Sequence, residues 1–344
     1  AIGTLLSAYF ILAANSFMQN PVGFEVDDVT GRAELTDFWA VLTNRVVLVT
    51  FPHTIAAAFL TSGGLVLGVA LWHLARRPHE HADAFRSAAW LGSIVVLVAA
   101  VGVALTGDQQ AKVMTDVQPM KMAAAEALYD TTDSAGFSIF TIGTLGDHEE
   151  IWSLRIPGLL SYLAEGDPGA TVEGINDLQA EYETRYGEGS SYKPNIPLTY
   201  WTFRLMIGVG MLGAVAAVWV VWRLKRHDAT FPSNRWVVAI AVLLPLAGVL
   251  GNSFGWIFTE MGRQPWVVFG LMPTAAGVSP GVSTAEVLLT MTGFTLLYGA
   301  LAVVEVRLLL STIRAGLPDV EPELSASSRA ADRTSDDEPL VLVY

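Results

Sequence analysis

The sequence predicts an all-α, polytopic transmembrane helical bundle. Hydrophobic residues make up 52% of the 344 residues and charged residues only 15%, and the mean hydropathy is +0.45. The apolar residues are gathered into long runs, and a run of about 20 apolar residues crosses a bilayer as a helix. The chain contains no cysteine, which excludes disulfides, thiolate metal sites and cysteine nucleophiles.

Six segments are long and apolar enough to span a membrane. We expect them at residues 1–18, 47–74, 86–106, 199–223, 236–259 and 284–311. They divide the chain into three spans (1–106), a long connection (107–198), three more spans (199–314) and a tail (315–344). The tail is rich in Ser, Asp, Glu, Pro, Ala and Arg and is predicted to be disordered.

The basic residues of the short connections predict the orientation of the spans, because Lys and Arg accumulate on the cytoplasmic side. They are Arg76, Arg77, Arg86, Lys225, Arg226, Arg235, Arg307 and Arg314. The tail is therefore cytoplasmic, and the 107–198 connection lies outside. That connection holds 15 Asp or Glu against 5 Lys or Arg, and its apolar pieces indicate a partly folded domain. The net charge of −13 gives no support for nucleic-acid binding.

His53, in TFPHTIAAAF, is the one histidine of six in the interior of a predicted span, while His73 lies at the cytoplasmic end of the same span. It lies roughly 10 Å below the outer end of its helix at about 1.5 Å per residue. The small residues Ala56, Ala57 and Ala58 leave room for a large group beside it. Two interpretations stay open: a hydrogen bond to a neighbouring helix, or a metal or haem ligand.

Met206, in YWTFRLMIGVG, lies at a similar depth on the fourth span. A methionine on a membrane helix usually packs in the core or against lipid. Arg204 nearby must reach outward or pair with an anion. A histidine and a methionine together are a typical axial pair for a low-spin haem, and arginine pairs well with haem propionates.

Glu260 and Arg263, in GWIFTEMGRQPW, lie about one helical turn apart near the outer end of the fifth span. Ionisable groups at membrane depth are costly and mark functional sites. The alternative is that the helix has ended and both charges face water. Because carboxylates ligate iron, Glu260 is a candidate ligand at the same level as His53 and Met206.

A short helix is predicted in DVQPMKMAAAEALYD, with Pro119 in its first turn. Lys121 and Glu126 are five residues apart, so they are not an ideal facing pair on a helix. The segment is either a solvated helix with ordinary charges or a site that hydrogen-bonds a quinol headgroup and takes its protons.

Several stretches together resemble subunit I of cytochrome bd-type quinol oxidases. They are ILAANSFMQNP, FPHTIAAAF, GDQQAKVMTDVQPMKMAAAE, FRLMIGVG and GWIFTEMGRQPW. They occur in the family's order, and the resemblance covers nearly everything from Ala1 to about Arg314. The outside connection resembles the family's quinol-binding loop in its shorter form.

The resemblance implies two haem b sites. His53 and Met206 match the axial ligands of the low-spin haem b, and Arg204 matches the arginine beside that haem. Glu260 matches the ligand of the high-spin haem b, and Arg263 matches an arginine of the haem site.

The resemblance also implies that Lys121 and Glu126 bind and oxidise quinol. The family reduces dioxygen to water at a haem d and builds a proton gradient without pumping. It implies a multi-pass protein of the bacterial cell (inner or plasma) membrane, with lipid around it and a second membrane subunit, subunit II, as partner.

The N-terminus departs from the family pattern. Family members have further membrane helices before the one that Ala1 opens, and those helices hold the histidine that binds haem d. We therefore expect an N-terminally truncated fragment without the haem d ligand, and a longer natural gene product. A start codon and ribosome-binding site directly upstream of Ala1 would contradict this expectation.

Two other classes remain from the sequence. One is a haem b electron carrier that binds haem and quinol but does not reduce oxygen. The other is a haem-free transporter in which Glu260 and Arg263 form a gating ion pair.

Overall fold

The computed structural model describes residues 2–144, 149–226 and 231–318. The chain divides into two units, Ala1–Thr284 and Ala285–Tyr344, and each is described by itself. Ala1, His148, His227 and the part of the predicted disordered tail from 319 to 344 lie outside the described residues.

Six helices within the described residues are long and apolar enough to cross a membrane. They are α1 (Ile2–Gln19), α3 (Arg45–Arg76), α4 (Ala82–Val117), α8 (Ile196–Leu224), α9 (Arg235–Met261) and α10 (Thr284–Ala315). This confirms the predicted all-α membrane class. The second unit is described as the greater part of α10 and the residues up to 318.

The connections hold the short elements. Four helices are α2 (Phe38–Leu42), α5 (Pro119–Glu126), α6 (Leu159–Glu165) and α7 (Ile175–Tyr186). The strands are β1 (Phe24–Val26), β2 (Ala33–Leu35), β3 (Thr132–Asp133), β4 (Phe137–Gly143), β5 (Glu150–Ile156), β6 (Thr171–Val172), β7 (Trp266–Val268) and β8 (Met272–Pro273). They form four antiparallel pairs: β1–β2, β3–β6, β4–β5 and β7–β8.

Glycines let α3 approach α4 and α9 closely. A Cβ added at Gly92 of α4 would lie 2.8 Å from the Leu67 backbone nitrogen of α3. One added at Gly68 of α3 would lie 2.5 Å from the Ala241 carbonyl oxygen of α9. In a bilayer no hydrophobic force drives helices together, so small residues that permit close backbone contact stabilise the bundle.

The basic connections lie together at one end of the first unit. His73 near the end of α3 stacks on Phe85 at the start of α4, with ring centroids 4.1 Å apart. Trp219 of α8 contacts Phe231, which precedes α9, at 5.9 Å. Phe85, Trp219 and Phe231 belong to one apolar cluster with Leu74. The 107–198 connection belongs to the opposite end, where α4 ends and α8 begins.

Helix α4 continues past its predicted span, from residue 106 to Val117. The sequence is polar here, but its residues still form helix, and Lys112 donates to Asp108 one turn earlier at 2.8 Å. The helix ends where Gln118 precedes Pro119, because the residue before proline avoids helical geometry. Helix α5 then starts with Pro119 in its first turn, as predicted.

The 107–198 connection packs around α5. Residues of α5 and α7 join Tyr192, Tyr200 and Trp266 in one buried cluster. A second cluster joins Met122 of α5 to Leu160 of α6. Helix α5 is buried almost throughout, so it is not the solvated helix that remained open from the sequence.

Candidate functional site

A cavity lies between α3, α4, α8 and α9, and both His53 and Met206 line it. The space not filled by protein atoms amounts to about 1340 Å³, including the part open to the surroundings. Glycine lines its wall near both side chains. A Cβ at Gly107 would lie 3.5 Å from His53 Cε1, and one at Gly255 would lie 2.9 Å from Met206 Sδ. The absence of side chains at these two positions therefore lets both candidate ligands lie close to the cavity wall.

The hydrogen bonding of His53 favours a metal-ligating tautomer. The Thr106 hydroxyl donates to the Gly102 carbonyl at 2.7 Å. Its oxygen is then the acceptor for the Nδ1–H of His53, at 3.0 Å. A neutral imidazole that donates through Nδ1 keeps the Nε2 lone pair for a metal.

Arg204, which lies between the cavity-lining residues Phe203 and Met206 in the sequence, forms a buried ion pair with Glu126 of α5. Its Nη2 lies 2.7 Å from Glu126 Oε2, and the two side chains are 9% and 1% exposed. Burial raises the pKa of Glu126, and the Arg204 charge opposes that rise. The guanidinium also lies over the ring of Phe137 at 4.6 Å. Its Nε and Nη1 are buried without a hydrogen-bond partner in the described protein, so Arg204 retains donors for a second anionic group.

Strand β4 completes the surroundings of Glu126. The Ser138 backbone N–H donates to Glu126 Oε2 at 2.9 Å. The Ser138 hydroxyl is hydrogen-bonded to Tyr200 at 2.8 Å and to Thr141 at 2.6 Å. A chain of buried hydroxyls therefore runs from beside the carboxylate along the inner face of the strand.

Arg155 of β5 holds the backbone around Glu126. Its Nη1 donates to the carbonyl oxygens of Glu126 and Gly136, each at 3.2 Å, and its Nη2 donates to Ala127 at 2.9 Å. The same guanidinium pairs with Glu150 at 2.6 Å. One side chain thus ties the end of α5 to the β4–β5 hairpin.

Lys121 lies on α5 but faces away from Glu126, toward α1 and α9. Its Nζ donates to Gln19 Oε1 at 3.1 Å and to the Thr259 carbonyl at 3.2 Å. Burial lowers the pKa of Lys121 to about 7, with a smaller contribution in the same direction from Arg263, while Glu260 opposes it. The lysine can therefore gain or lose a proton near neutral pH.

Glu260 and Arg263 pair with each other at 2.5 Å. Asn15 of α1 donates to the other carboxylate oxygen of Glu260 at 2.9 Å. Arg263 is buried, and its Nε and Nη1 have no hydrogen-bond partner in the described protein. The Glu260 side chain is 41% exposed, so it remains accessible to a ligand, and it does not line the cavity of His53.

The structure divides the predicted site residues into three places. His53 and Met206 share a cavity, Arg204 pairs with Glu126 beside it, and Glu260 pairs with Arg263. Lys121 bridges the first and third places, because it lines the cavity and contacts the end of α9.

Sequence reasoning missed Thr106, Ser138 and Arg155 at the site. Arg155 had a usable signal, since it is one of only 5 basic residues in the acidic 107–198 connection. Thr106 and Ser138 gave none, because a single hydroxyl residue has no distinctive spacing.

The residues present fit haem in their chemistry. A histidine with a free ring nitrogen and a methionine sulfur lie on one cavity with a glycine-lined wall. Two buried arginines nearby retain unpaired N–H groups, which suit the anionic propionates of a haem.

Comparisons with known proteins agree with this chemistry. A family model described as cytochrome bd terminal oxidase subunit I matches residues 1–317. Cytochrome bd ubiquinol oxidase subunit 1 of Bacillus subtilis (strain 168) is 39% identical over 317 residues, which cover 92% of this chain and 66% of that protein. Cytochrome bd-II ubiquinol oxidase subunit 1 of Escherichia coli (strain K12) is 28% identical over 380 residues, covering 94% and 73%.

A solved structure gives the same result at the level of fold. The bd oxidase from Geobacillus thermodenitrificans matches with a TM-score of 0.78 and 29% identity, covering 92% of this chain and 68% of that one. The chain spans about two thirds of the length of these relatives. Cytochromes are haem proteins, so the match assigns haem to the family in general. The chain, whose described residues contain six helices that could cross a membrane, therefore belongs to the cytochrome bd terminal oxidase subunit I family.

Proposed function

We propose that this chain is the haem-binding, quinol-oxidising subunit of a cytochrome bd-type oxidase in the bacterial cell membrane. It oxidises ubiquinol or menaquinol at the outer side and passes electrons through haem b groups toward haem d, where dioxygen is reduced to water. The reaction contributes to the proton gradient without pumping. One relative is named a ubiquinol oxidase subunit and another a menaquinol oxidase subunit. The proposal therefore covers both quinols and does not choose between them.

The observation that supports this function most directly is the shared cavity of His53 and Met206. The two side chains come from different helices and line one cavity, each beside a glycine. A haem held there between nitrogen and sulfur ligands would supply reversible one-electron transfer. Thr106 orients the imidazole, and Arg204 offers its unpaired N–H groups to a propionate.

Quinol oxidation releases two electrons and two protons, and α5 supplies groups for the protons. Burial raises the pKa of the Glu126 carboxyl group, so its carboxylate accepts a proton from a quinol hydroxyl more readily than an exposed carboxylate would. Arg204 stabilises the carboxylate once that proton leaves toward the hydroxyls of Ser138 and Tyr200. Lys121, with its pKa of about 7, is the second proton-exchanging group.

Glu260 is proposed as the iron ligand of the high-spin haem b, with Arg263 as its electrostatic partner. The exposed part of the Glu260 carboxylate supports this role, and so do the unpaired N–H groups of Arg263. We assign no residue of this sequence to haem d. A second membrane subunit is proposed as the partner on the basis of the family.

The test is a reduced-minus-oxidised absorption spectrum combined with quinol turnover, recorded on the full-length protein purified with its partner from its membrane. Met206→Leu keeps the size of the side chain and removes the sulfur, so we expect the low-spin b signal to be lost or shifted. Glu126→Gln keeps the volume and removes the proton acceptor, so we expect quinol oxidation to fall by about 100-fold or more, the range for loss of an acid–base group.

Met211→Leu is the matched control, because Met211 is exposed on the same helix. It should leave both the spectrum and the turnover unchanged. An unchanged b signal in Met206→Leu would refute the ligand assignment, and normal turnover in Glu126→Gln would refute the quinol role. A spectrum without haem bands would favour the transporter alternative, and b bands without a far-red haem d band would favour the electron carrier.

A further inference from the structure

The β4–β5 hairpin is polar on its inner face and apolar on its outer face. The inner face presents Ser138 and Thr141, which are buried and hydrogen-bonded to each other and to Tyr200. Arg155 also turns inward, to the carbonyls at the end of α5. A hairpin that folds over a protein in water shows the reverse pattern, with apolar residues inside and polar residues outside.

The outer face forms a continuous apolar surface. The ladder places Phe140 opposite Leu154 and Ile142 opposite Trp152. These four side chains, with Ile156 at the end of the strand, are between 37% and 54% exposed. An exposed apolar patch of this kind marks a contact surface with a partner or a membrane.

The apolar surface is continuous with an exposed apolar side of α8. Phe140 contacts Trp201 of α8, with ring centroids 5.2 Å apart, and Trp152 lies 6.1 Å from Phe140. Leu198 and Leu205, on either side of Trp201 along the helix, are also exposed. The three aromatic rings thus extend an apolar helix surface onto the hairpin.

The position of Trp201 along α8 indicates how deep in the bilayer this surface would lie. Helix α8 has 29 residues, or about 43 Å, which exceeds the hydrocarbon thickness of about 30 Å. Trp201 lies about 8 Å along the axis from the start of the helix at Ile196. This is the headgroup level, where tryptophan and other aromatic side chains concentrate in membrane proteins.

We propose that the outer face of the β4–β5 hairpin is embedded in the interfacial layer of the bilayer. The occupant is lipid, because aromatic side chains at headgroup depth join the patch to the exposed side of a helix that is long and apolar enough to cross a membrane. The inner face of the same hairpin donates to Glu126 through Ser138. Lipid contact on one side therefore holds the strand against the buried Glu126–Arg204 pair on the other.

The absence of cysteine from the sequence permits a direct test with single spin labels. Ile142→Cys and Leu154→Cys place labels on the outer face of each strand, and Glu188→Cys is the control at an exposed turn. The assembled complex is reconstituted in liposomes after its size and haem content are checked. Power-saturation electron paramagnetic resonance then measures collisions of each label with dissolved oxygen and with a water-soluble nickel chelate.

We expect oxygen collisions to exceed nickel collisions several-fold at 142 and 154, and the order to reverse at 188. Equal nickel access at all three positions would place the hairpin in water and overturn the proposal. Protection from both reagents at 142 and 154 would also overturn it, because a protein surface would then cover the face. These outcomes do not depend on the proposed quinol chemistry, since no turnover is measured.

Discussion

Arg204 links the predicted haem site to the predicted quinol site, two sites that the sequence gives no reason to connect. The resemblance implied a haem role for Arg204 and a quinol role for Glu126, and the structure places their side chains 2.7 Å apart. The five-residue spacing of Lys121 and Glu126 predicted that they are not an ideal facing pair, and their side chains do face opposite sides of α5. The sequence could indicate which residues are unusual, but their contacts depend on how the 107–198 connection folds over α5.

Lys121 gives a prediction about pH. Its folded-state pKa is lowered from 10.5 to about 7, first by burial and then by Arg263. Below pH 7 the lysine is charged in both the folded and the unfolded state, so burial of the charge destabilises the folded protein fully. As the pH rises from 7 toward 10.5, only the unfolded state keeps the proton, so stability increases by about 1.4 kcal/mol per pH unit.

Lys121→Met removes this titration. We expect the thermal midpoint of wild type to rise relative to that of Lys121→Met between pH 7 and pH 9, measured in one detergent at one scan rate. Lys193→Met, at a partly exposed lysine of the same connection, should follow wild type at every pH. Parallel profiles for wild type and Lys121→Met would contradict the lowered pKa.

At the level of elements, hydropathy predicted all six long helices because their apolar runs exceed the length needed to cross a bilayer. Hydropathy did not predict the extension of α4 to Val117, because residues 107–117 are mostly polar and a hydropathy search finds only apolar runs. The sequence did not predict the β4–β5 hairpin either, although its strands lie in FSIFTIGTL and IWSLRIPGLLSYLA, two apolar pieces of the 107–198 connection. Its polar inner face and apolar outer face are the reverse of the pattern expected in water, and they fit a hairpin whose outer face contacts the membrane.

Close packing of α3 on α9 gives a second prediction. A Cβ at Gly68 would approach the Ala241 carbonyl oxygen at 2.5 Å and Pro245 Cδ at 2.8 Å. Gly68→Ala should therefore destabilise the protein by about 1–3 kcal/mol through overpacking. A drop in the thermal midpoint of the purified complex is the measurement.

Gly208→Ala in α8 is the matched control, because a Cβ there meets nothing within 4 Å. It should be neutral or stabilising by up to about 1 kcal/mol, as alanine favours helix over glycine. Equal midpoints for the two variants would show that α3 and α9 are not in such close contact.

For the whole molecule, the sequence predicted opposite ends for the basic connections and for the 107–198 connection. In the first unit these are indeed opposite ends of the helices. Which end faces the cytoplasm follows from the positive charges alone. Single cysteines in the cysteine-free chain can test that orientation.

We expect Glu188→Cys to react with a membrane-impermeant maleimide in spheroplasts, whose cell membrane is intact. His79→Cys, in the connection between α3 and α4, should react only after the membrane is permeabilised. Both positions are exposed, so the difference reports the side of the membrane. Reaction of His79→Cys in intact spheroplasts would reverse the proposed orientation and remove the quinol site from the outer face.

The anchoring of α5 by Arg155 and Arg204 also determines where the chain tolerates insertions. The E. coli relative aligns over 380 residues, more than the 344 of this chain, so it contains inserted segments. Extra residues between Glu126 and Arg155 would disturb the carbonyls and the carboxylate that these arginines bind. The turn at 187–191 is exposed throughout, and a Cβ at Gly189 meets nothing within 4 Å. Growth of the connection at this turn would add surface to the protein while leaving the Glu126 site unchanged.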